Sequence, residues 1–131
     1  MLSRVTCAAL CLLALLGGTP PALAKDGDGR REASVTGSCS KGGTSQLRLR
    51  SRDGAISVEF ELKRRRAGES WRLVLVHERR VASRARLRTK GSSGSLRMRR
   101  TLDDLAGPDA VKVRASGPRG MTCEASATLA A

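Results

Sequence analysis

From residue 32 onward apolar side chains return at every second position, the repeat of a strand that buries one face and wets the other. Ala33, Val35 and Cys39 alternate with Ser34, Thr36 and Ser38, and Leu47 and Leu49 alternate with Arg48, Arg50 and Arg52. The cleanest run sets Ile56, Val58, Phe60 and Leu62 against Ser57, Glu59, Glu61 and Lys63. Asp53 and Gly54 lie between these two runs and predict a tight hairpin turn. After a charged loop over 63–69, Trp71, Leu73 and Leu75 share one phase while Val74 and Val76 take the other. A strand apolar on both faces is expected near the centre of a sheet, or with its second face against another element or a partner.

Three arginine-rich alternations follow. Val81, Ala85 and Leu87 oppose Arg84, Arg86 and Arg88; Leu96 and Met98 oppose Arg97 and Arg99; Val111, Val113 and Ala115 oppose Lys112 and Arg114. Met121, Cys123, Ala125, Ala127 and Leu129 form the last apolar phase. Turns fall at 91–94, at the corner 103–109 with Gly107 and Pro108, and at 117–120. No helical period and no internal repeat interrupts the series. About eight short strands between turns predict an all-β domain over 32–131, an immunoglobulin-like β-sandwich of 7–8 antiparallel strands with one disulfide. The chain has no tyrosine, so the corner tyrosine of antibody-type domains is missing and strand order stays open.

Residues 1–24 follow another rule. Arg4 precedes the uncharged apolar run Val5–Leu16, Gly17, Gly18, Pro20 and Pro21 break it, and Ala22 and Ala24 place small residues at minus three and minus one. This predicts a signal peptide cleaved near Ala24; the run is too short to span a bilayer. Residues 25–31, with glycines around Asp28, are expected as a flexible tether. The expected location is secreted, extracellular or in the cell envelope, with no later segment apolar enough to cross a membrane.

The leader changes the cysteine arithmetic, because Cys7 and Cys11 leave with it. Leu10 and Thr6 precede them, where a lipid-anchor signal needs a small residue, so no lipid anchor is expected. Cys39 and Cys123 remain and predict a single disulfide closing most of the domain. Charge changes the picture next: 25 Lys and Arg against 12 Asp and Glu give +13 over 131 residues, which favours anionic partners. A GC-rich coding sequence explains arginine in place of lysine and the lack of asparagine. It does not explain why bases outnumber acids two to one.

The segments Gly37, Ser38, Cys39; 54–61; Arg66 to Arg72 around Trp71; Ser93, Gly94, Ser95; Gly107, Pro108, Asp109; and 120–129 resemble a group of small secreted, disulfide-bridged β-sandwich proteins of high-GC Gram-positive bacteria. The likeness covers nearly the whole mature chain and rests on turn glycines, one tryptophan and the cysteine pair. It implies export and an all-β fold, and it transfers no catalytic residue. Glu78, Arg79 and Arg80 depart from it, lacking the usual turn glycine.

Candidate chemistry is sparse. His77 is the single histidine, with only its neighbour Glu78 close by in sequence, and adjacent strand residues face opposite ways; a surface or rim histidine is expected. Ser95 stands where a nucleophile elbow needs glycine, so 91–95 reads as a hairpin turn. One histidine and a disulfide leave no zinc set, and Arg30 and Gly37 interrupt the calcium-loop spacing begun by Asp26 and Asp28. Glu59 and Glu61 share a strand face, as paired glycosidase acids would, but among so many arginines they read as cross-strand partners of Arg48 and Arg50.

No catalytic, cofactor or metal site is therefore expected, and the chain reads as a non-catalytic binding or envelope-associated module. Its candidate anion-binding residues are Arg48, Arg50, Arg84, Arg86, Arg88, Arg97 and Arg99, spaced for an anionic envelope polymer or another protein. Nucleic acid is disfavoured, because Phe60 and Trp71 are the only aromatic residues for stacking and both fall in buried phases. The alternative is a protease inhibitor presenting a basic loop, at Arg64 to Arg66 or at Arg119.

Overall fold

The computed structural model describes residues 30–131. Residues 1–24, 25–29 and the cysteines at 7 and 11 lie outside the described residues; Arg31, expected in the tether, instead opens the first strand. Eight strands form: β1 Arg31–Cys39, β2 Thr44–Arg52, β3 Ala55–Lys63, β4 Ser70–His77, β5 Arg80–Arg88, β6 Ser95–Asp103, β7 Asp109–Ser116 and β8 Thr122–Leu129. They make one antiparallel sheet in the order β5-β4-β7-β8-β1-β2-β3-β6. The all-β fold and the disulfide follow the sequence expectation. The two separate sheets of an immunoglobulin-like sandwich do not appear, because β1 belongs to both halves. Alternation dictates which side chains turn inward, but not which strand shares an edge with which.

Gly37 makes that sharing possible. β1 pairs with β2 from Arg31 to Gly37, then with β8 at Ser38 and Cys39. A Cβ on Gly37 would collide with the carbonyl of Glu124 and the hydroxyl of Ser45, so only glycine lets the three strands approach there. Immediately beyond, Cys39 faces Cys123 across the β1–β8 pair and the two are joined, with Cα atoms 4.1 Å apart. One core fills the space between the inward faces, built on Leu47, Leu49, Phe60, Trp71, Leu73, Leu75 and Met98, each at most 1 % exposed.

Turn chemistry sets the register. Asp53 and Gly54 both adopt positive φ between the paired Arg52 and Ala55, the two-residue hairpin expected from sequence. The β4–β5 turn makes the same bend with Glu78 at φ 49 and Arg79 at φ 64, and neither is a glycine. Its register shifts between Leu75 and Val76, and Val81, expected inward, is 50 % exposed. β4 is the second strand from the edge, between β5 and β7, with Val74 and Val76 half-buried on its outer side.

The sheet nearly closes on itself. Its two edges, β5 and β6, are consecutive in the chain and meet through the backbone pair Lys90 and Ser95 at the base of their turn, with no ladder beyond it. Further along, the Arg100 guanidinium spans the seam to the Ser83 hydroxyl, 3.0 Å away.

Candidate functional site

Strand pairing sorts the seven candidate arginines into two groups. Arg48 and Arg50 lie beside Glu32 of β1, at 3.8 and 3.3 Å. Arg97 meets Glu61 at 2.6 Å and Glu59 at 3.6 Å, and Arg99 meets Glu59 at 3.5 Å. Arg48 stands directly opposite Glu59 in the β2–β3 register, as expected, but the ion pairs of Glu59 and Glu61 run to Arg97 and Arg99 of β6, on the far side of β3. Lys112 and Arg114 are likewise held by Glu124 of β8, at 3.3 and 3.1 Å. The Arg97 guanidinium, helped by Lys63, draws the Glu61 carboxyl below its ordinary value, and Arg114 and Lys112 do the same to Glu124.

β5 has no such neighbours. Among the described residues Arg84, Arg86 and Arg88 have no ion pair, and Arg72 beside them on β4 has none. The β4–β5 register sets Arg72 directly opposite Arg86. Two like charges opposed on one face destabilise a sheet, and no carboxylate offsets them here.

The uncompensated strip runs into a groove of about 770 Å³ at the seam between the two edge strands. Arg86, Leu87, Arg88 and Lys90 form one wall, and Leu96 and Arg97 the other, with Glu61 the acid at its margin. The fold thus brings Arg86, Arg88 and Arg97 to one site, while Arg48 and Arg50 lie on β2, two strands from the β6 edge. A second cleft of about 640 Å³ opens at the same end of the sheet, with Lys63, Arg64 and Arg65 on its wall.

Arg64 is a structural residue rather than a displayed one. Its Nη1 donates to the carbonyls of Lys41 and Gly42, each at 2.7 Å, and its Nε donates to the buried Glu69 at 3.3 Å. Glu69 also receives Arg119 at 3.7 Å. Loop 64–69 is held further by Thr89, whose hydroxyl accepts from the Glu69 amide and donates to the Arg66 carbonyl. Arg65 and Arg119 have φ of 62 and 56, a left-handed bend unlike the extended form in which a protease groove holds a strand.

His77 lies deeper than the surface or rim position expected from sequence. It is buried, and its Nε2 lies 2.7 Å from Oδ1 of the fully buried Asp109. β4–β7 pairing brings together residues 32 apart in the chain. Asp109 Oδ1 also accepts the Leu105 amide at 3.3 Å, and the Glu78 carboxylate accepts the Ala110 amide at 2.5 Å. His77, Glu78 and Asp109 form a grouping of metal-ligand type among the described residues. Their hydrogen bonds pin the strained β4–β5 turn to the start of β7.

No family model matches this chain, and neither a curated protein nor a solved structure does. No helix among the described residues is long and apolar enough to cross a membrane.

Proposed function

We propose that the protein is an exported, non-catalytic binding module for anionic polymers, acting outside the cytoplasm or within the cell envelope. The reading rests above all on the opposition of Arg72 and Arg86 without an acid between them. Elsewhere on the sheet Arg48, Arg50, Arg97, Arg99, Lys112 and Arg114 each have a carboxylate. A composition-driven excess of arginine gives no reason for the outward-phase cations of β2, β6 and β7 to be neutralised while those of β4 and β5 are bare. A ligand-binding strip does. Guanidinium groups at alternate positions along β5 repeat about every 6.6 Å, a spacing that suits a chain of phosphates, sulfates or carboxylates. The leader at 1–24 and the disulfide support export.

The test is retention on immobilised polyanion at low salt. Wild type should bind and elute with moderate salt, as counterion release requires, and the triple variant Arg84→Glu, Arg86→Glu, Arg88→Glu should elute far earlier. Equal elution of the two proteins, or no retention of wild type at low salt, defeats the reading.

A further inference from the structure

The seam between β5 and β6 combines free backbone edges, basic walls and an apolar floor, and the three together select among anionic polymers. Each edge strand is nine residues long. Both are paired on one side only, apart from the single Lys90–Ser95 bridge at their turn. Two strands joined by a short turn ordinarily zip into a hairpin. Continuing the antiparallel register of that bridge would set Arg88 opposite Arg97 and Arg86 opposite Arg99. Both are like-charge pairs, which oppose closure. Arg100 adds to this from the inward phase of β6, exposed where Leu96 and Met98 are buried, and reaches across the seam to Ser83, beyond the groove.

An acidic strand would reverse each of these effects. Its carboxylates would stand between guanidiniums that now repel, its amides and carbonyls would meet both free edges, and its apolar side chains would lie on Leu87 and Leu96 in the groove. A polyphosphate or sulfated glycan satisfies the charges alone. We infer that the occupant of the β5–β6 seam is an extended acidic polypeptide, which completes the sheet by strand addition with carboxylates on Arg86, Arg88 and Arg97. This inference rests on the anion-binding reading above and narrows its ligand class. Glu61, the acid lining the groove, already holds Arg97 at 2.6 Å, so the incoming chain shares Arg97 and takes Arg86 and Arg88 outright.

The experiment uses the whole mature protein and three probes: a synthetic peptide of alternating Glu and Val about as long as either edge strand, the same peptide N-methylated at alternate residues, and inorganic polyphosphate. The unmodified peptide should bind at low salt and slow amide hydrogen exchange along both β5 and β6. N-methylation leaves every carboxylate in place but removes strand donors, and should weaken binding about tenfold or more. Polyphosphate should compete for the site without protecting the edge amides. The variant Arg86→Glu, Arg88→Glu, whose side chains are exposed and outside the core, should lose both peptide and polyphosphate. If the two peptides bind equally, or the β5 and β6 amides stay unprotected while peptide is bound, strand addition is refuted and a charge-only polyanion site remains. If neither peptide nor polyphosphate binds at low salt, both readings fall.

Discussion

Replacing both bridged cysteines by alanine tests how the two ends of the domain are held. The bridge spans 84 residues of sequence, and loop-closure entropy for a loop of that size is about 4.5 kcal/mol at room temperature. Alanine is the proper replacement, because Cys123 is 1 % exposed and a serine hydroxyl there would add an unpaired polar group to the core. Domains of this size are stable by about 5–15 kcal/mol in total, so the variant should lose a third of its stability or more. At roughly 4–8 °C per kcal/mol the melting temperature should fall by about 20 °C or more. Urea unfolding followed through the lone Trp71 gives the free energy directly. If the restraint acts on the unfolded chain, the slope against urea should also steepen, since an unbridged chain exposes more surface. A variant within about 1 kcal/mol of wild type, with an unchanged slope, would refute the reasoning.

Other consequences can be measured as readily. Gly117→Ala places a methyl 2.6 Å from the Trp71 ring and should cost about 1–3 kcal/mol by overpacking, read as a lower urea midpoint; no change would mean that the turn yields freely. Arg86→Thr removes the opposition to Arg72 and should stabilise the fold by a few tenths of a kcal/mol while weakening polyanion retention, whereas unchanged retention would mark the strip as a solvated face only. Asp109→Ala removes the buried oxygen partner of His77 and of the Leu105 amide and should destabilise by about 2–3 kcal/mol, and an unaltered melt would show that His77 needs no partner. The carboxyls of Asp104, beside Arg31, and of Glu61 and Glu124 sit below their ordinary values when folded. The folded chain therefore binds fewer protons than the unfolded one. The stabilisation they give is complete above the ordinary carboxylate range and is lost as pH falls through the folded values, so melting temperature should decline between roughly pH 5 and pH 2. Glu61→Gln should flatten that decline, and an identical slope would exclude the Arg97 contact as a cause.

The parts of this protein that were readable from sequence are those governed by nearest neighbours along a strand. Period-two alternation places Leu47, Val58, Phe60 and Trp71 inside, and Asp53 with Gly54 gives its hairpin away. The cysteines fall on the first and last strands in phase with the core. What stayed hidden depends on which strands lie side by side. Nothing near His77 in sequence points to Asp109, 32 residues on. Glu32 as the partner of Arg48 and Arg50, and β6 as the taker of Glu59 and Glu61, follow from sheet order alone. Arg64 looks like any other loop arginine until the carbonyls of Lys41 and Gly42 close around it. The β4–β5 register shift between Leu75 and Val76 turns Val81 outward, which alternation along either strand does not mark. The arginine phase was visible, but its division into compensated and bare strands was not.

Sheet direction has one more consequence, for how the molecule can be mounted. β1 enters at Arg31, whose guanidinium holds Asp104, and β8 leaves at Leu129, paired with Asp109, so the first and last strands of the described domain enter and leave at the same end of the sheet. Arg88, Lys90, Ser95 and the 64–69 loop lie at the other end, up to about 30 Å away along nine-residue strands. A linker on either terminus, a surface attachment or insertion into a larger chain would therefore hold the domain by its blunt end and point the basic mouth outward. Orientation comes with the topology, and two copies set side by side on one support would present their grooves in parallel.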